Sequence, residues 1–334
     1  MTKQFRNLLF AGLAVLLAVA CSKAPNTSAV SGPPIVLGYS NWAGWWPWAI
    51  AVEEKMFEKN GVNVEMKWFD GYLPSMETFA AGKIDGNSQT LNDTISFLPG
   101  ENGGEVVVLV NDNSAGNDQI IADASITSVA DLKGKTVAVE EGIVDDYLLS
   151  LALQDVGLSR DDVVIKGLPT DQAATAFAAG QVDAVGAFPP YTGTAMKREG
   201  ARVIATSKDY PGAIPDLLTV SADLIKERPD DVQKIVKTWW DVRAFMEENP
   251  EKSEEIMAKR AGIPTEEYEQ YKDGTRFFTL DENLEAFSPG EGMQYMPYAA
   301  ESMAEFMVTV GFLETKPDMS NLFDSSFVKK EAGA

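Results

Sequence analysis

The sequence predicts an α/β protein built as two βαβαβ lobes with a ligand cleft between them. Three observations carry that prediction. The 334 residues are too many for one ordinary core and suit two lobes of roughly 100–200 residues each. Apolar residues at 45% and charged residues at 23% are the values of a folded globular chain. One segment also occurs twice: Phe79-Ala80-Ala81-Gly82-Lys83-Ile84-Asp85-Gly86 reads like Phe177-Ala178-Ala179-Gly180-Gln181-Val182-Asp183-Ala184.

The elements around each copy run in the same order. Residues 35–39 and 136–139 are short strand-like runs, followed by helical periodicity at 49–59 and 147–155 that ends at Gly61 and Gly157. Residues 62–69 and 162–168 read as second strands, and the repeated segment then closes a second helix and turns into a third strand. Right-handed crossovers make each unit a parallel sheet, with ligands bound beyond the carboxyl ends of its strands. Residues 106–110 followed by 119–122 mark the first crossing between lobes, and 217–221 mark the return. From residue 222 the pattern is helical, at 229–248, 251–261, 265–272 and 298–310, which should complete the first lobe and brace the hinge. The expected lobes are 35–111 with 220–334, and 118–216.

Upstream lies a different material. Lys3 and Arg6 precede an apolar run from Leu8 to Ala20 that is short for a bilayer span and has the layout of a secretory signal over residues 1–20. Cys21, the only cysteine, follows Ala18-Val19-Ala20, a stretch that resembles the bacterial lipobox. That resemblance implies acylation of Cys21 and a protein held on the bacterial membrane at the cell surface or in the periplasm. Residues 21–34, rich in Ser, Pro, Ala and Gly, read as a flexible tether.

The order of elements, the paired Gly-x-[Ile/Val]-Asp turns, Val129-Ala130-Asp131-Leu132-Lys133-Gly134-Lys135, and Asp318-Met319-Ser320-Asn321-Leu322 before Ser325-Ser326-Phe327-Val328 resemble the nitrate/sulfonate/taurine family of substrate-binding proteins. The resemblance covers nearly the whole chain beyond the leader. It implies a type II periplasmic-binding fold, hinge closure on a small solute, and docking of a closed monomer on an ABC permease driven by a separate ATPase. The family does not fix the ligand.

Composition narrows the chemistry. The chain has no histidine, which removes the commonest general base and metal ligand, and its single cysteine offers no thiolate site. No cofactor or metal is expected. A calcium loop at 111–118 would need a closing Glu where Ala122 stands. Enzymes related to the pyrimidine-precursor synthases share the general fold but use an active-site histidine, so an enzyme is disfavoured. A net charge of −22 repels nucleic acid and favours small cations.

The loops expected to line the cleft are 38–48, 69–76, 87–94, 111–119, 140–147, 168–172 and 186–194, and none contains Lys or Arg. Four of the seven tryptophans fall within 42–48, and indole faces attract cations. Trp42 and Trp46 are the expected ligand contacts, with Trp45 and Trp48 given to packing as readily as to the site. Phe188 and Tyr191, in Phe188-Pro189-Pro190-Tyr191, would close the aromatic box from the second lobe. Asp70, Asp118, Glu140 and Asp145 are the expected carboxylates, with Gln89 beside them. A planar guanidinium would use both parts, stacking on an indole while forking onto a carboxylate. Taurine, another sulfonate or nitrate is the alternative that the family resemblance implies.

Overall fold

A computed structural model describes residues 32–98 and 104–333. The leader, Cys21 and most of the tether lie outside the described residues. No helix among those described is long and apolar enough to cross a membrane.

The first half of the repeat folds as expected. Strand β1 (Ile35–Tyr39) is followed by α1 (Trp48–Glu53) and α2 (Met56–Lys59), β2 (Val64–Trp68), α3 (Tyr72–Ala80), β3 (Gly86–Thr90) and α4 (Leu91–Phe97). The helix expected over 49–59 is broken in two because Lys55 adopts a left-handed conformation, φ 54°. The long strand β4 (Glu105–Ser114) then runs to the crossing, and β5 (Gln119–Ala122) opens the second lobe.

The second unit repeats the plan: β6 (Thr136–Val139), α5 (Val144–Asp155), β7 (Val164–Gly167), α6 (Thr170–Ala178), β8 (Ala184–Ala187), α7 (Tyr191–Ala195) and β9 (Arg202–Thr206). The repeated aspartates do the same work in both. Asp85 Oδ2 accepts from Val36 N at 2.7 Å and Asp183 Oδ2 from Thr136 N at 2.8 Å, each tying the turn before a third strand to the start of the first.

The chain returns through β10 (Pro215–Ser221), α8 (Ala222–Glu227), α9 (Pro229–Glu248), α10 (Pro250–Ala261), α11 (Thr265–Tyr268), β11 (Thr275–Phe277), α12 (Leu280–Ala286), α13 (Met296–Thr309) and α14 (Ser326–Glu331). Pro215 already pairs with Asn113 of β4, so the return lies before 215 rather than at 217–221, and residues 215–216 belong to the first sheet instead of the second lobe.

The sheets have orders β11-β4-β10-β3-β1-β2 and β7-β6-β8-β5-β9. In each, three parallel strands from the repeat meet on one side a strand running against them, β10 in the first sheet and β5 in the second, and beyond it a strand that runs with them again, β4 and β9. This is the mixed two-sheet architecture of the type II fold. Strands β4 and β10 lie side by side in the first sheet and lead to the two crossings, so both crossings leave from one edge of the cleft. Trp48 packs on Trp239 and Phe57 at 4.8 and 6.0 Å, anchoring α1 to α9 in the first lobe. Ring pairs of this kind add about 0.5–1.5 kcal/mol each beyond burial.

Candidate functional site: an aromatic and acidic cavity between the lobes

The cleft is closed. Phe188, at the end of β8, meets Trp42 and Tyr72 of the first lobe edge-on, each with ring centroids 6.4 Å apart. Tyr147 of α5 meets Phe306 of α13 at 5.5 Å. Tyr191 receives a hydrogen bond from Asn41 Nδ2 at 3.2 Å, and Asn41 Oδ1 accepts from Trp46 Nε1 at 3.3 Å.

Behind these rings is a narrow cavity of about 10 Å³, room for about one water molecule. Trp42, Trp45, Tyr72 and Phe188 supply its aromatic walls, Asp118 and Asp216 its carboxyl groups, and Asn41, Thr90, Val144 and Ile214 the remainder. None of these is basic. A vestibule of about 150 Å³ lies outside it, sharing Asn41, Tyr72 and Phe188, and adds Asp70, Glu77, Glu140 and Asp171 with Thr170 and Tyr191.

The carboxylates are held by strand ends. Asp112 and Asp216 are direct register partners on β4 and β10, and Asp118 lies on the crossing just past β4. Their exposures are 0%, 1% and 2%. Trp42 Nε1 donates to Asp112 Oδ1 at 3.0 Å. Oδ2 of Asp112, Asp118 and Asp216 has no hydrogen-bond partner among the described residues. Burial is the main cause that raises Asp112 and Asp118 to about 7, and it pushes Asp216 well above the carboxylate range, where nearby Asp112 and Asp118 push it further. Arg243 lies close enough to Asp112 to oppose that rise. It is not part of the cavity wall, and its guanidinium sits over Phe277 at 4.4 Å.

Gly44 makes room for Asp112: a Cβ there would stand 1.8 Å from Asp112 Oδ2. At the interface, Asp93 of α4 accepts from Thr90 Oγ1 at 2.8 Å, with the backbone of Val144 from the other lobe facing it. Burial raises Asp93 to about 7 despite those hydrogen bonds. Among the described residues, no group of three carboxylates is arranged to hold a metal ion.

The residues singled out from sequence fall in different places. Trp42, Asp118 and Phe188 line the inner cavity, while Asp70, Glu140, Tyr191 and Phe188 line the vestibule. Asp70 is exposed and accepts from Trp68 Nε1 at 3.0 Å; Glu140 accepts from Thr170 Oγ1 at 2.8 Å. Three lie elsewhere. Trp46 is buried against Tyr268 and Tyr271, because one residue past Trp45 the turn aims its ring into the first lobe. Gln89 lies within the first lobe, donating to Thr94 Oγ1 and Glu105 Oε2 at 3.0 and 2.8 Å. Asp145 accepts from the amides of Glu140 and Asp146 at 3.0 and 3.2 Å, so it ties the start of α5. Trp45, Tyr72, Thr90, Asp112 and Asp216 were not singled out. In sequence Trp45 is given to packing as readily as to the site, and Asp216 stands at the end of the expected second lobe, outside the loops expected to line the cleft.

Residues 29–261 match the NMT1-like family. A protein of Brucella abortus named as a binding protein is 26% identical over 312 residues, covering 92% of this chain and 95% of that one. A Bacillus subtilis protein named for binding aliphatic sulfonates is 27% identical over 281 residues, 83% and 81% of the two chains. Among solved structures, the alkanesulfonate-binding protein of Xanthomonas axonopodis, bound to MOPS, superposes with a TM-score of 0.74 at 19% identity, covering 89% of this chain and all of that one.

Proposed function

We propose that this chain, which belongs to the NMT1-like family, is the extracytoplasmic solute-binding protein of an ABC importer and that it carries a small organic cation of the guanidinium or amine class. The solute-binding role draws on relatives named as binding proteins. Anchoring through an acylated Cys21, a monomeric state and delivery to a permease with its ATPase belong to the same reading.

One observation supports the charge of the ligand: four aromatic rings line a cavity together with Asp118 and Asp216, whose buried Oδ2 atoms have no hydrogen-bond partner among the described residues, and no basic side chain is in its wall. A buried carboxylate without a partner is costly, and a cation offering N–H donors would relieve two such costs together. The rings favour the same sign of charge. The acidic vestibule would draw cations inward, and Phe188 stands between the two spaces.

A second reading is taurine or a related sulfonate. Trp45 Nε1 is a buried donor without a partner on the cavity wall, so a sulfonate oxygen could take it while an ammonium group took Asp118 or Asp216. Thermal unfolding of the purified protein with guanidinium, methylamine, choline, taurine, methanesulfonate and nitrate separates the two, since a ligand selective for the folded state raises the melting point. Stabilisation by cations alone supports the first reading. Stabilisation by methanesulfonate or nitrate alone overturns it.

A further inference from the structure

We propose that Asp112 and Asp216 hold one proton between them while the cavity is empty and release it to solvent when the cation binds. This rests on the cationic reading of the cavity and adds to it a coupling between solute capture and pH.

The geometry begins with the sheet. Asp112 and Asp216 are directly opposed on antiparallel β4 and β10, both within the first lobe, so their proximity does not depend on whether the cleft is open. Like charges directly opposed across a strand pair repel. The two carboxyl groups lie within hydrogen-bonding reach of one another, yet Oδ2 of each lacks any other partner. A single proton satisfies both oxygens and removes the repulsion, the usual outcome when two carboxylates share a dry site.

The groups facing the pair point the same way. Asp118 on the crossing and Asp93 on α4 add negative charge next to Asp216. Arg243 on α9 and the Trp42 indole N–H support an ionised Asp112, so Asp216 is the member that keeps the proton. Tyr268 on α11, itself raised by burial, stays neutral and adds no charge. Asp216 also lines the cavity, whereas Asp112 stands behind it. A cation entering the cavity therefore meets the protonated member first. Its charge favours ionisation, the O–H bond of the Asp216 carboxyl breaks, the electron pair stays on the carboxylate, and the proton passes to water or buffer.

Calorimetric titration of guanidinium into the protein at pH 7, in buffers of low and high ionisation enthalpy, measures the proton directly. About one proton released per guanidinium bound is expected, with affinity rising up to about tenfold per pH unit while the pair is still protonated. Asp112→Asn should reduce the proton release to the part that Asp118 supplies, because an amide next to Asp216 provides its own donor and leaves Asp216 ionised. Binding of guanidinium with the same heat in every buffer overturns the shared proton and leaves the cationic reading standing. Absence of binding by guanidinium and by simple amines, with methanesulfonate bound, overturns both.

Discussion

Trp42 donates its indole N–H to Asp112 Oδ1 across 3.0 Å, with both side chains buried and the tryptophan ring also forming the cavity wall. The aromatic wall and the acidic floor are thereby one unit. Trp42→Phe keeps a ring but leaves Asp112 with an additional unpartnered oxygen. It should cost about 1–3 kcal/mol of stability, measured by denaturant unfolding. Because the ring survives, cation affinity should fall less in this variant than in Trp42→Ala.

Gly44 tests the same unit from the other side. A methyl group there would overlap Asp112 Oδ2, and the carboxylate would have to move or the loop would have to shift. Gly44→Ala is expected to destabilise the protein by roughly 1–3 kcal/mol and to weaken ligand binding. Wild-type stability with wild-type binding would show that Asp112 is not held where it is described.

Acidity should stabilise the empty protein over a defined window. Asp93, Asp112 and Asp118 are raised to about 7 chiefly by burial, and Asp216 is raised further. A raised carboxyl favours the folded state in its protonated form, so this contribution is fully present below the unfolded value of about 4 and is lost as pH rises through about 7. The melting point of the empty protein should therefore fall between pH 5 and pH 8, and a bound cation should restore most of the loss at pH 8. A melting point that rises across that range would contradict the burial of these groups.

Phe188 links closure to capture, since its ring touches Trp42 and Tyr72 across the cleft and walls both the cavity and the vestibule. Phe188→Ala should leave both lobes folded, lower ligand affinity by about tenfold, and speed dissociation more than it slows association. Stopped-flow fluorescence of the tryptophans would measure both rates.

Much of this arrangement was legible in the sequence. Each repeated aspartate ties its own strand pair, so the repeat at Asp85 and Asp183 reported two equivalent sheets. The limits of helix α9 followed from periodicity over 229–248, and α10 starts one residue before the expected 251, with Pro250 as its first helical residue. The site was legible as a composition of loops rather than as a geometry. Trp42 and Trp45 face the cavity while Trp46 does not, because the chain turns between them with hydrogen bonds from Trp45 N and Trp46 N to Trp42 O. The pairing of Asp112 with Asp216 depends on antiparallel register between strands far apart in sequence, interrupted by irregularities in β10. No local pattern encodes such a register.

The most direct test is a crystal structure of the protein grown with excess guanidinium. The cation is expected flat against a ring of the Trp42, Trp45, Tyr72 and Phe188 box, with its N–H groups within hydrogen-bonding distance of Asp118 and Asp216. An anion in that cavity, or a cavity left empty with the cation bound elsewhere, would contradict the account.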